Sequence, residues 1–89
     1  ADICFLGVGG ISKNGISTYA LPETAVNRVI LERTTGHRII VTEGFKVGRD
    51  SNFHTADCNM ITHLITDHTA DPETVAYLKS IGVKVLFIS

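Results

Sequence analysis

Phe5-Leu6-Gly7-Val8-Gly9-Gly10-Ile11 ends an apolar run in a glycine loop, and Leu21-Pro22-Glu23-Thr24 follows it after a turn. This pattern predicts a buried strand, a loop whose glycines let a ligand approach the backbone, and a helix N-terminus. Proline fits the first turn of a helix, where its missing N–H is not needed. The alternative is a tight strand-to-helix connection without a ligand, because the loop lacks the third glycine of the dinucleotide fingerprint.

The helix that begins at Leu21 carries an apolar face. That face contains Ala25, Val26, Val29 and Ile30, and we expect it to pack inward. The opposite face is polar and carries Glu23, Asn27, Arg28 and Glu32. Gly36 is predicted to end the helix.

The continuous apolar run at residues 3–6 predicts a strand covered on both faces, and residues 37–42, 60–66 and 83–88 predict three further strands of the same parallel sheet. Lys13-Asn14-Gly15 predicts a turn, and residues 43–59 predict an irregular excursion with a short helical turn. Asp71-Pro72-Glu73 begins a second helix that ends at Gly82, with Val75, Leu78 and Ile81 facing inward. The order β-α-β-loop-β-α-β predicts an α/β fold, a Rossmann-like parallel sheet with helices on its faces, incomplete in this chain.

Composition narrows the class of protein. The 89 residues make one domain but are few for a complete doubly wound α/β protein, so we expect a piece of a longer chain. Eight basic and nine acidic residues give a formal charge of −1, which argues against direct DNA binding by this segment. The sequence has no run typical of a membrane helix or signal peptide, and Cys4 and Cys58 lack paired spacing. We therefore expect a cytoplasmic location and reduced thiols.

Candidate binding residues lie at the carboxyl ends of the predicted strands, where α/β proteins hold ligands. Lys46 follows the second strand on a loop with Gly44 and Gly48, and its ammonium suits a phosphate. Glu23 and Thr24, in the first helical turn, suit sugar hydroxyls. The helix dipole alone also favours Glu23 there, and most loop lysines are simply solvated, so both alternatives stay open.

Other chemistry is less well supported. His54, Cys58, His63 and His68 are zinc-binding residue types, but their separations of four, five and five match no compact finger or helical pair. Cys4 lies in an apolar strand, and no serine has a nucleophile-elbow pattern. Neither a metal nor a cofactor is expected.

Four motifs then follow in order along the chain: Ala-Asp-x-x-Phe-Leu-Gly-x-x-Gly-Ile at 1–11, Leu-x-Glu-x-Ala-Val-x-Arg at 21–28, Lys-x-Gly-Arg at 46–49 and Leu-Ile-Thr-Asp at 64–67. Together they resemble the carboxy-terminal effector domain of DeoR-type bacterial transcription repressors. The chain differs at two points. Glu43-Gly44-Phe45 precedes Lys46 where the family has Asp-Ser-Ser, and Asn27-Arg28 stands where it usually has Lys-Arg.

The resemblance implies a sugar-phosphate sensor with the fold of ribose-5-phosphate isomerase, glucosamine-6-phosphate deaminase and CoA transferases. It also implies that a winged helix-turn-helix, which binds the operator, and the first half of the sensor domain precede residues 1–89. The protein is then expected to be a homo-oligomer. The expected effector site contains Gly7, Gly9, Gly10, Glu23, Thr24 and Lys46.

Two other functions stay open. One is a sugar-phosphate isomerase of the same fold, whose relatives carry acidic residues in the loop after the first strand. Val8-Gly9-Gly10-Ile11 has none, so the sequence favours binding over catalysis. The other is an oligomerisation domain that has lost its ligand.

Overall fold

The computed structural model describes residues 2–88. Seven strands and two helices follow one another in that part of the chain. They are β1 (Ile3–Leu6), β2 (Gly10–Ser12), β3 (Gly15–Thr18), α1 (Leu21–Arg33), β4 (His37–Val41), β5 (Phe53–Ala56), β6 (His63–Thr66), α2 (Pro72–Ser80) and β7 (Lys84–Phe87). Two 3-10 helical turns, Gly44–Lys46 and Cys58–Met60, lie before and after β5.

A four-stranded parallel sheet has the order β1-β4-β6-β7, which confirms the predicted α/β class. Its register pairs Ile3 with His37, Ile39 with His63 and His63 with Lys84. The predicted third strand is too long at its start. Met60 belongs to a 3-10 turn, and β6 begins at His63.

A second, antiparallel sheet has the order β2-β3-β5, and the sequence pattern did not predict it. The predicted turn is the tip of the β2–β3 hairpin, where Gly15 pairs with Ser12 and has φ +118°. Glycine adopts this conformation without steric cost. The strands escaped prediction because they have three or four residues and bury serine and threonine beside isoleucine, so they form no apolar run.

One apolar core joins both sheets and both helices. Its fully buried aliphatic side chains are Ile11, Ile16, Leu31, Ile40, Leu64 and Leu78.

Helix α2 begins as predicted, because the Asp71 carboxylate accepts a hydrogen bond from the Thr74 N–H at 3.0 Å. Gly82 follows its end with φ +95°. The prediction for Ile81 is wrong, since this side chain is exposed.

The predicted inward face of α1 is wrong for three of its four residues. Thr24, Asn27 and Leu31 are the buried residues of this helix, whereas Val26 and Val29 are 57% and 50% exposed. The helix packs mainly on β5 and β3 of the antiparallel sheet. Ala25, Val26 and Val29 of the predicted face point to solvent, whereas Ile30 is partly buried and packs against the core.

Arginines fix α1 at its middle and its end. Arg28 donates to the carbonyl oxygens of Thr55 at 2.8 Å and His54 at 2.7 Å. Arg38 Nε donates to the Leu31 carbonyl oxygen at 3.0 Å and caps the last turn. Gly36 does not end the helix, which stops at Arg33. Gly36 instead lies so close to the Asp2 carbonyl oxygen that a side chain would collide with it.

One face of the parallel sheet is covered and the other is largely open. The covered face carries Cys4, Leu6, Ile40 and Leu64. The open face carries Ile3, Phe5, Val41 and Leu86, and the Phe5 side chain is 63% exposed. No helix in the described part of the chain has the length and apolar character needed to cross a membrane.

Candidate functional site

The loops after β4 and β6 meet at the carboxyl edge of the parallel sheet. The Gly44 N–H donates to Asp67 Oδ2 at 3.0 Å, and the Thr69 hydroxyl and N–H donate to Asp67 Oδ1 at 2.5 and 2.9 Å. The Thr69 hydroxyl and then the Gly44 N–H lower the pKa of the Asp67 carboxyl. Asp67 is therefore an ionised tether that fixes the turn carrying Lys46.

The loop after β1 reaches the same edge. The Gly48 N–H donates to the Ile11 carbonyl oxygen at 2.7 Å, and Ile11 forms a parallel bridge with Val47. Gly48 has φ +95°, which favours glycine. The segment that follows Gly7 and the segment around Lys46 therefore run side by side where Ile11 meets Val47.

The three candidate glycines differ in their surroundings. A side chain at Gly7 would meet nothing within 4 Å, so the space above this residue is open. A Cβ at Gly9 would lie 2.8 Å from Ser51 Oγ and 3.1 Å from Tyr19 Cε2, and one at Gly10 would collide with the Arg49 carbonyl oxygen. Tight packing thus explains why glycine occupies positions 9 and 10, whereas the open space at Gly7 leaves room for a ligand.

Lys46 is held rather than free in solvent. Its side chain is 19% exposed, and Nζ lies 3.6 Å from Glu43 Oε1. Nζ also lies 5.8 Å from the ring centroid of Tyr19 and 5.7 Å from that of Phe45. A cation at this distance over an aromatic face is attracted by the ring quadrupole.

Glu23 and Thr24 lie in the first turn of α1 but face different surroundings. The Glu23 residue is exposed, whereas Thr24 is buried and its hydroxyl hydrogen-bonds the Thr18 hydroxyl. The Ala20 N-cap provides no side-chain hydrogen bond to this end of the helix. A binding role for Glu23 or Thr24 stays a prediction.

Tyr19 is the contact that sequence reasoning missed. It lies between β3 and α1, and its ring touches Gly9 and stands beside the Lys46 ammonium. A single aromatic residue before a helix start has no periodicity or spacing that marks a site. Only the folded structure, in which the residue after β3 meets the turn after β4, reveals it.

The histidine and cysteine residues considered for zinc do not come together. No group of three or more metal-ligating side chains occurs among residues 2–88. His54 Nε2 instead lies 3.2 Å from Asp57 Oδ1, and the Cys58 thiol donates to the Ser12 carbonyl oxygen. Burial raises the pKa of the Cys58 thiol, which disfavours the reactive thiolate.

A cavity of about 440 Å³ lies elsewhere, between α1 and β5. Its lining includes Arg28, Glu32, His54 and Asp57, and none of the predicted effector residues contributes to it.

Comparison with known protein families identifies a match for this chain. The family model described as the DeoR C-terminal sensor domain matches residues 1–68. The match extends from β1 to just beyond β6, so it includes both sheets except β7. No curated protein matches the chain.

Proposed function

Because the chain belongs to the family of DeoR C-terminal sensor domains, we propose that its effector is a phosphorylated sugar that regulates DNA binding by a separate domain. The family is one of regulatory domains, and the chain is the effector-sensing domain of a DeoR-type regulator. Beyond the family assignment, the proposal specifies the chemical class of the effector, the residues that bind it and its effect on DNA binding. It includes no catalytic step.

The position of Lys46 is the observation that carries this proposal. Its ammonium is held at the carboxyl edge of the parallel sheet, where α/β folds bind ligands. The Asp67 tether fixes the turn, and the open space at Gly7 lies on the neighbouring segment. A shielded ammonium beside an open loop suits a phosphate dianion, because an ionised acceptor strengthens the hydrogen bonds that it receives.

The sugar end of the effector would lie towards the start of α1. The Glu23 carboxylate accepts hydrogen bonds from hydroxyls but repels phosphate, so it suits the uncharged end. The loop from Gly7 to Gly10 completes the proposed site. Thr24 would contribute only after its hydrogen bond to Thr18 breaks.

The open face of the parallel sheet supports a larger assembly. Phe5 and Leu86 are among its exposed apolar side chains, and parallel sheets are generally covered on both faces. We propose that the first half of the sensor domain packs there and that complete subunits form a homo-oligomer. An effector that binds one arrangement of this assembly more tightly than another would change the fraction of protein molecules that can bind the operator. The protein would act in the cytoplasm.

Titration calorimetry tests this proposal on the full-length protein in which the chain occurs. A panel of sugar phosphates should include at least one binder. For that binder, Lys46→Ala should weaken affinity about 10–100-fold, because a hydrogen bond to a charged group contributes about 1.5–3 kcal/mol. Lys79→Ala on α2 is the matched control and should leave affinity unchanged.

The same titrations separate the alternatives. Unchanged affinity in Lys46→Ala would remove this residue from the site, and a panel without any binder would favour an oligomerisation domain that has lost its ligand. Incubation with ribose 5-phosphate tests the isomerase alternative. Formation of ribulose 5-phosphate would overturn the proposal that the domain only binds.

A further inference from the structure

Two exposed aromatic rings lie close to the Lys46 ammonium, the group that we propose binds the phosphate. The residues Tyr19 and Phe45 are 52% and 53% exposed, yet the Lys46 side chain that contacts both rings is largely shielded. Each ring centroid lies within 5.8 Å of Nζ. We call these three residues the aromatic–lysine cluster. It offers a cation and apolar ring surface to the same ligand.

The rings come from separate parts of the chain. Tyr19 links β3 to α1 and is backed by Gly9, whereas Phe45 lies in the 3-10 turn after β4. The guanidinium of Arg49 lies 5.6 Å from the Phe45 ring centroid and adds a second cation nearby. The turn holding Phe45 is fixed by the hydrogen bond from Gly44 to Asp67. The cluster therefore has a defined shape before any ligand binds.

From this arrangement we infer that the aromatic–lysine cluster selects a sugar phosphate with a closed ring over an open-chain phosphate. The inference rests on the proposed function. The Lys46 ammonium takes the phosphate, and the C–H face of the sugar ring packs on Tyr19. An aromatic ring supplies a large apolar area, and its hydroxyl adds a polar contact at the rim. An open-chain phosphate gains the charge interaction but covers less of the ring.

Phe45 and Tyr19 could instead act only by holding Lys46 in position. In that case, loss of a ring would weaken all phosphates equally. A direct contact weakens cyclic ligands selectively. The ratio of affinities for cyclic and acyclic phosphates therefore distinguishes a contact from a positioning role.

Calorimetry on the full-length protein measures that ratio with ribose 5-phosphate and glucose 6-phosphate as cyclic probes and glycerol 3-phosphate as the acyclic probe. Tyr19→Ala should weaken the better cyclic probe about tenfold and glycerol 3-phosphate by less than about twofold. Tyr19→Phe keeps the ring and should retain most of the selectivity. Phe87→Ala is a control, because its exposed ring stacks on His68 and makes no contact with Lys46.

Each outcome has a separate meaning. Equal losses for cyclic and acyclic probes in Tyr19→Ala would overturn the selection of a ring, while sugar-phosphate sensing would survive. Unchanged binding of every probe would exclude Tyr19 from the site. If the unmodified protein binds no sugar phosphate, the proposed function fails first. Thermal unfolding of each variant verifies that affinity changes do not come from misfolding.

Discussion

Gly44 occupies a position that has no space for a side chain. A Cβ at this position would collide with Asp67 Oδ1 and the Thr69 hydroxyl, and it would lie 2.5 Å from the Ala70 backbone nitrogen. Its N–H is also one of the donors that hold the Asp67 carboxylate. Position 44 is glycine where the family has serine, and the loop after β6 leaves no space for a side chain there.

We predict that Gly44→Ala lowers the free energy of unfolding by about 1–3 kcal/mol, the usual cost of overpacking a tight site. Urea denaturation measures this loss. Effector affinity should fall as well, because Lys46 lies two residues further along the same turn. Gly7→Ala is the control for the stability measurement alone, since open space surrounds Gly7. Equal stability of the Gly44 variant and the unmodified protein would contradict the tight fit.

At the scale of elements, α1 reverses the usual arrangement of a surface helix. Its polar residues Thr24 and Asn27 face the antiparallel sheet, and the buried Asn27 Nδ2 and Thr55 Oγ1 have no hydrogen-bond partner. The periodicity of the sequence shows which residues of α1 form the apolar stripe, but it does not show whether that stripe faces the core or the solvent. The polar face of α1 packs on the antiparallel sheet, which was not predicted. The orientation of α1 therefore could not be predicted from the sequence.

Asn27→Leu should stabilise the protein by about 1–2 kcal/mol, because leucine removes a buried unpaired donor and has the same branched shape. Chemical denaturation of the two proteins tests this expectation. Asn27→Asp provides the opposite case, since an unpaired charge in the same place should lower stability. A loss of stability in Asn27→Leu would show that the amide has a partner in the assembled protein.

At the scale of the whole molecule, the open face of the parallel sheet contains a titratable group. His63 and His37 meet edge to face with ring centroids 4.9 Å apart, and Lys84 pairs with His63 in the sheet register. Partial burial first, and then the positive charges of His37 and Lys84, lower the pKa of His63. The folded protein therefore disfavours protonation of this ring.

Stability should consequently fall as the pH drops below about 6.5, the ordinary histidine pKa. In that range the unfolded chain binds the proton more readily than the folded chain, so acid favours unfolding. Denaturation at pH 7.5 and 5.5 measures the loss, and His63→Gln should reduce it. His68→Gln is the control, because its ring stacks on Phe87 instead. An unaltered pH dependence in His63→Gln would assign the loss to other groups.

The sequence reveals the parallel sheet because each of its strands contains at least two consecutive apolar residues, such as Ile39-Ile40-Val41 in β4. It reveals Lys46 and Glu23 as candidates because both follow recognisable strand or helix boundaries. It does not reveal Tyr19, whose partners Gly9 and Lys46 are distant in the chain and meet only through the unpredicted hairpin. Long-range pairing of short, polar strands leaves no local signal.

The β2–β3 hairpin also sets an order for folding. Its strands are neighbours in sequence, and hairpins form in about 1–10 μs. Strand β1 must wait for β4, because Ile3 pairs with His37 across the entire hairpin and α1. Closing such a loop costs chain entropy before any contact compensates for it. The hairpin should therefore assemble early, and the edge that carries Lys46 should become ordered only when the parallel strands join.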